Sequence, residues 1–320
     1  MISPVTLQIS LSPADYRHAR EILPHQVRQW RDQVAEILIT ADFHRSAGRF
    51  STGWEDGRDR IADLAKSIPG ARFVSVDYGA IASARVAAEF FEGGRIPKKD
   101  FRGGPFYSYF FGLNAAAHDY VFHVDSDIFF GGGSPTWMAE ALAHMETHKD
   151  VLFAAPLPGP PAPDGRLHSQ SAKPEGGAQP AFRFDTMSTR LFLLSRKRFR
   201  ASVGGLQARL PGLREILKAL VEGNSPADLP EHLFTRAMRR HGLVRREFLG
   251  DSPGMWSLHP PYRCEDFYAR LPELIRRIEG GDIPEAQRGC HDINASLVDW
   301  SEAEAALRSN RWWRRFAGRS

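Results

Sequence analysis

Hydrophobic positions in this chain follow two periods that take turns along the sequence. Val5 to Leu11 alternates apolar and polar residues, which predicts a strand. Ser12-Pro13-Ala14-Asp15 then opens a helix whose Ala19, Ile22, Leu23, Val27 and Trp30 share one face, and Pro24 predicts a kink or break within it. Glu36 to Asp42 reads as a second strand, Ile61, Leu64 and Ile68 as one face of a helix, and Arg72 to Asp77 as a third strand. Phe106 to Ala117 reads as a helix leading into the strand Tyr120 to Asp125, and Ser134-Pro135-Thr136 as the cap and first turn of another helix. Strand and helix in alternation predict an α/β fold with a mainly parallel central sheet flanked by helices.

The second half is less regular. Asp150 to Pro156 is a short apolar strand, after which residues 157 to 181 are rich in Pro, Gly, Ser and Ala and have no period. Such a stretch predicts either a mobile loop over a site or disorder. Arg190 to Leu194 resumes as strand, helices follow at Leu213 to Val221 and Pro230 to His241, and Phe267, Leu271, Leu274, Ile275 and Ile278 mark a helical C-terminal extension.

Composition narrows the class. The 320 residues suffice for a full core, and no run of eighteen apolar residues predicts a membrane span. Met1-Ile2-Ser3-Pro4 lacks the basic flank and apolar stretch of a secretory signal, so a cytoplasmic location is expected. Cys264 and Cys290 are the only cysteines, which argues against a disulfide framework or a cysteine-rich zinc site. The net charge is +4, and Arg308, Arg311, Arg314, Arg315 and Arg319, interleaved with Trp312, Trp313 and Phe316, account for more than all of it, leaving the rest of the chain slightly negative. That composition suits a peripheral contact of 308–319 with an anionic membrane surface on the inner face, or a basic terminus packing its tryptophans on the body. No nucleic-acid partner is expected, because the body is not basic and carries no such motif.

The chemistry concentrates in Asp125-Ser126-Asp127, at the end of the most apolar strand and just before Gly131-Gly132-Gly133. Along a strand, alternate side chains share a face, so the two aspartates would converge, and two hard oxygen donors suit Mg2+ or Mn2+. In open α/β sheets ligands collect at the carboxyl ends of strands. An Asp-x-Asp also recurs in turns and caps, so the buried strand and the glycine run around this one carry the reading.

From about Val5 to Tyr262 the order of these features resembles the GT-A fold nucleotide-sugar glycosyltransferases, Rossmann-like enzymes, and within them the large bacterial family 2. The resemblance implies that Asp42 contacts the nucleoside base. It identifies Gly103-Gly104-Pro105 through Asp127 with the helix and strand that lead to the family's Asp-x-Asp, making Asp125 a contact of the donor. It reads His259, in Trp256-Ser257-Leu258-His259-Pro260-Pro261, as the histidine that returns to the metal beside Asp125 and Asp127. Leu229-Pro230-Glu231-His232-Leu233-Phe234 is similar to the family's Glu-Asp element, with His232 where the second acid is expected, so the base is Glu231 or His232. Otherwise Glu231 complements a helix N-terminus. The family's Arg-Asn pair is replaced by Ser108-Tyr109-Phe110-Phe111, and Lys98, Lys99 or Arg102 stands in for the pyrophosphate contact.

The implied activity is metal-dependent transfer of a sugar from a nucleotide diphosphate donor, UDP-linked in most of the family, to a hydroxyl of a glycan or lipid-linked acceptor in cell-surface polysaccharide synthesis. The implied division is a catalytic domain over 1–262, with nucleotide and acceptor halves meeting near 130, and an extension over 263–320. Residues 157–181 would close over the donor as a lid. Two other classes compete. A sugar nucleotidyltransferase would carry a glycine-rich basic loop where Ser10-Leu11-Ser12-Pro13 stands, and a non-catalytic glycan- or membrane-binding module is kept open by the altered Glu231-His232 pair. His123 reads as a packed histidine, and Cys290-His291-Asp292 as structural.

Overall fold

A computed structural model describes residues 3–45, 52–93 and 96–309. In chain order its elements are β1 (Val5–Leu11), α1 (Tyr16–Trp30), β2 (Glu36–Ala41), α2 (Trp54–Gly57), α3 (Arg60–Lys66), β3 (Ala71–Ser75), α4 (Ala80–Phe90), α5 (Tyr107–Ala115), β4 (Tyr120–Asp125), β5 (Phe129–Gly131) and α6 (Trp137–Thr147). There follow β6 (Val151–Pro158), β7 (Lys173–Pro174), β8 (Ala181–Phe184), β9 (Leu191–Ser195), α7 (Arg196–Val203), α8 (Leu213–Glu222), α9 (Pro230–His241), β10 (Val244–Phe248), β11 (Trp256–Leu258), α10 (Glu265–Glu279) and α11 (Ser301–Ser309).

The strands join in the order β3-β2-β1-β4-β9-β6-β10-β8-β7, with β11 pairing both β5 and β6. Pairing of β1 with β2 and β4, and of β2 with β3, is parallel. β9 is antiparallel to both β4 and β6, and β10 runs parallel to β6, so the main strand direction continues across it. The expected α/β layout with a mostly parallel sheet is the one found. Helices cover both faces. Trp30 from α1, Ile61 from α3 and Trp137 from α6 pack on Leu7, Ile9 and Phe122, while Phe90, Phe110, Phe199 and Phe234 from α4, α5, α7 and α9 pack on Val121 and Phe192.

Alternation in β1 does not mark a solvent face. Thr6 and Gln8 are fully buried under α5, where the absent side chain of Gly112 leaves room for the Gln8 amide. Other local readings are corrected by packing. α1 runs unbroken through Pro24, its flanks held by Gln26 donating to the carbonyls of Asp125 and Ile128 and by His25 against Glu279. Gly131 lies in β5 with its α-carbon against the Trp256 ring, and Gly132 and Gly133 have φ of 88° and 71°, where side chains are strained. The cap of α6 is Thr136, so Pro135 precedes the helix and does not start it.

Residues 157–181 are neither free nor structureless. His168 N–H donates to the Gly289 carbonyl at 2.8 Å, Gly289 N–H to Pro160 at 2.8 Å, and β7 pairs with β8. The C-terminal helix is likewise built into the body: Phe267, Leu271 and Leu274 of α10 share a cluster with Ile22 and Phe129, and Glu279 meets both His25 (2.7 Å) and Arg28 (2.8 Å).

Candidate functional site

β4 delivers Asp125 on the face covered by α5. The Tyr109 hydroxyl lies 3.1 Å from each carboxylate oxygen, and His123 Nε2 lies 3.3 Å from Oδ1. His123 Nδ1 meets Gln8 Oε1, and the Gln8 amide donates to Thr40 Oγ1 at 2.9 Å and Ser10 Oγ at 3.0 Å. Burial beside the Asp125 carboxylate pushes the Tyr109 phenol well above its ordinary value, so it stays a donor. His123 is thus a satisfied buried side chain, as expected, and also the link between the β1 polar face and Asp125.

Asp127 does not share that face. The chain leaves β4 at Asp125 and turns, with Ile128 N–H donating to the Asp125 carbonyl at 3.3 Å, so strand alternation does not carry over to position 127. Ser126 Oγ meets His18 Nε2 at 3.1 Å, and Asp127, itself buried, pairs with the Arg263 guanidinium. His259 Nε2 lies 3.7 Å from Asp127 Oδ2, and Asp127 Oδ1 is buried without a hydrogen-bond partner. Burial pushes this carboxyl up, but the Arg263 guanidinium, joined by His259 whenever it is protonated, outweighs it and holds the pKa at about 2.

Behind His259 stands Asp292. Its Oδ1 is 3.1 Å from His259 Nδ1, and the backbone fixes the pair, with His259 N–H donating to His291 and Ile293 N–H to His259. Arg190 approaches Asp292 at 3.7 Å. A carboxylate accepting from Nδ1 leaves Nε2 as the lone-pair nitrogen, turned to Asp127, the arrangement that orients metal-binding histidines.

The other expected residues fall into two places. Asp42, at the end of β2, is buried and holds Lys99 Nζ at 2.7 Å, the Tyr78 hydroxyl at 3.0 Å and the His44 amide at 2.9 Å. The Lys99 ammonium is therefore neutralised by Asp42. Arg102 lies 3.5 Å from Asp100 and 4.0 Å from Glu231, and Glu231 is close enough to Tyr109 and Arg245 to act on their charge. His232 is the next residue round α9 and diverges from Glu231. Its Nδ1 is 2.7 Å from Asp228, which also takes Arg236 at 2.8 Å.

Among the described residues no three His, Cys, Asp or Glu side chains converge on one ion-sized point. The donor set that fits a divalent cation is smaller: the unpartnered Asp127 Oδ1 and the oriented His259 Nε2, with Asp125 engaged by Tyr109 and His123. Mg2+ and Mn2+ accept few protein ligands when phosphate oxygens and water supply the rest. Arg263, Asp292 and Tyr109 were not foreseen. Arg263 and Asp292 belong to no spacing pattern with Asp127, and Asp292 reaches the site only because its strand-like stretch bridges to His259. The basic aromatic tail beyond residue 309 lies outside the described residues, while Arg308 lies 3.7 Å from Glu304 within α11.

No protein-family model matches this chain, and no curated protein matches it. Solved structures do resemble it. Staphylococcus aureus TarS 1–349 in complex with UDP-GlcNAc is 14% identical, with 88% of this chain and 68% of that one covered at a TM-score of 0.42. The galactosyltransferase LgtC with donor and acceptor sugar analogs is 12% identical, covering 89% and 99% at 0.35. Glucosyl-3-phosphoglycerate synthase from Mycobacterium tuberculosis with Mn2+, UDP and glucosyl-3-phosphoglycerate is 11% identical, covering 92% and 82% at 0.36. These are GT-A fold glycosyltransferases. At such scores the likeness carries no weight for the reaction.

Proposed function

We propose that this chain is a glycosyltransferase that moves a sugar from a nucleotide diphosphate, UDP in the first instance, to a hydroxyl of a glycan or lipid-linked acceptor. The observation that carries the reading is the unpartnered Asp127 Oδ1 beside an Asp292-oriented His259, at the point where the order of parallel strands reverses between β1 and β4. Crevices at such reversals, at the carboxyl ends of strands, are where open α/β sheets hold nucleotides. Asp42, at the neighbouring strand end and fixed by Lys99 and Tyr78, reads the base.

Mg2+ or Mn2+ held by Asp127 and His259 would act as a Lewis acid toward the departing diphosphate. The chain's own groups do the rest. Arg263, more than a third exposed at 39%, has the planar fork that suits diphosphate oxygens as well as a carboxylate. Tyr109 keeps Asp125 fixed at the end of β4, and Arg102 together with Lys98 supplies positive charge. Glu231 accepts the proton of the acceptor hydroxyl at its carboxylate, because it faces Tyr109 and Arg102, whereas His232 is drawn aside by Asp228. The pinned segment 157–181 forms a wall near the 288–291 stretch, and a lid role is confined to its exposed part around 169–180.

One observation favours a second version of the same reaction. The Arg263 guanidinium already rests on Asp127, so it could neutralise the leaving diphosphate without an ion. Turnover of UDP-sugars measured in EDTA, then with added Mn2+, separates the two. Activity lost in EDTA and restored by Mn2+ supports the metal version, undiminished activity in EDTA supports the guanidinium version, and no turnover with any nucleotide sugar under either condition counts against the transferase reading.

A further inference from the structure

α8 is turned the wrong way for a helix that serves a protein core. Ala219 is its one fully buried residue, resting in a small cluster with Phe101 and Leu229. Its large side chains face solvent instead: Leu213 is 82% exposed, Leu217 58%, Leu220 64% and Val221 49%, and Leu210 just before it is 69% exposed. At 3.6 residues per turn these helix positions lie on one arc, with Arg214 and Lys218 at its edge and Glu215 and Glu222 farther round. A contiguous apolar ridge of this kind on a surface marks an interaction site.

The charge at the edge of the ridge, Arg214 and Lys218, and in the sequence flanking it selects what it meets. Residues 196–241, which span α7, α8 and α9, hold ten Lys and Arg against four Asp and Glu, a net +6 in a chain whose total is +4. α7 packs on α9 through Phe199 and Phe234, and Arg209, Arg236 and Arg240 line one depression between the α7–α8 connection and α9. Leucines on one face with basic residues at its margin, in a basic segment of a body that is otherwise acidic, form the pattern of a helix that lies in a lipid–water interface. We propose that α8 docks this chain onto an anionic bilayer surface. The chain from α8 runs directly through Asp228 into the start of α9, so docking brings Glu231 and Arg102 toward the membrane, and the acceptor is then lipid-linked. Only that last step rests on the glycosyltransferase reading.

The test is co-sedimentation of the full chain with phosphatidylcholine vesicles, with and without phosphatidylglycerol, in the absence of nucleotide and metal. Wild type is expected to bind the anionic vesicles and to release from them as salt rises. The triple variant Leu213→Gln, Leu217→Gln, Leu220→Gln loses at least tenfold in vesicle affinity with its melting temperature unchanged, because those side chains touch little of the body. The pair Arg214→Gln, Lys218→Gln weakens binding to anionic vesicles, and Arg311→Gln, Arg314→Gln, Arg315→Gln in the tail leaves most of it. Wild type remaining in the supernatant, or a triple variant that binds like wild type, overturns the proposal. So does a wild type that is dimeric where the triple variant is monomeric, since the ridge would then belong to a second copy. Vesicle binding combined with an absence of nucleotide binding would keep the docking surface and remove only the acceptor assignment.

Discussion

Asp292 illustrates how the site is held at the scale of single residues. It lies against His259 Nδ1, so in the proposed reading, where His259 would hold a divalent cation, it would fix the tautomer and angle of the imidazole. Asp292→Ala should therefore lower Mn2+ affinity by about 10- to 100-fold, read by calorimetry with UDP present, while the melting temperature changes little. Glu231 and His232 make a second residue-level contrast. Glu231→Gln is expected to reduce turnover by about two to four orders of magnitude with UDP binding retained, and His232→Ala to leave turnover within a few fold. The reverse ranking would move the proton-accepting role to the His232–Asp228 pair. Asp125 and Asp127 stand out in the sequence because a strand end and a short motif are local features, whereas His259 is a candidate only through the resemblance. Arg263, Asp292 and Tyr109 do not stand out, since their relation to Asp127 and Asp125 exists only after distant segments fold together.

Elements were legible where one period dominates and obscure where polar residues are buried. α9 spans the expected residues, and β1, β2, β4 and β6 lie within two residues of expectation. β10 escaped notice because Val244-Arg245-Arg246-Glu247-Phe248 is rich in charge, yet Arg245 and Glu247 are both buried and pair at 2.9 Å across one face of the strand. In the glycine run, Gly131 and Gly132 are small for close approach to Trp256 and Gly254. A Cβ at Gly131 would sit 2.1 Å from the Trp256 ring, so Gly131→Ala should cost about 1–3 kcal/mol by overpacking, seen as a lower urea midpoint. The seam between α1 and α10 has a pH signature. Hydrogen bonding from His25, with Arg28 beside it, holds Glu279 at about 2 against an ordinary 4.5. Burial holds His144 at about 4 against 6.5. Both folded values are depressed, so the unfolded chain binds more protons in each window and stability falls with pH. The melting temperature should decline as pH falls from 6.5, where His18 and His291 add to His144, and further below 4.5, where Asp127 adds to Glu279, so Glu279→Gln should make the decline below 4.5 shallower.

For the whole molecule, alternating strand and helix signals were enough to foretell a two-faced α/β layer structure, because each period independently demands one buried face. They could not foretell that β9 inserts antiparallel between β4 and β6, nor that the stretch after residue 262, expected as a helical extension, would pack on α1 and β5 and bring Arg263 and Asp292 to the candidate site. Among the described residues no helix is long and apolar enough to cross a membrane. What unites the molecule is the strand-order reversal between β1 and β4, beside which Asp127 keeps a buried, unsatisfied carboxylate oxygen. The most direct test of the transferase reading is calorimetric titration of UDP, with GDP as control, with and without Mn2+, on wild type and on Asp127→Ala. The account predicts UDP binding that Mn2+ strengthens and that Asp127→Ala loses. Failure of wild type to bind either nucleotide, with or without the ion, would contradict it.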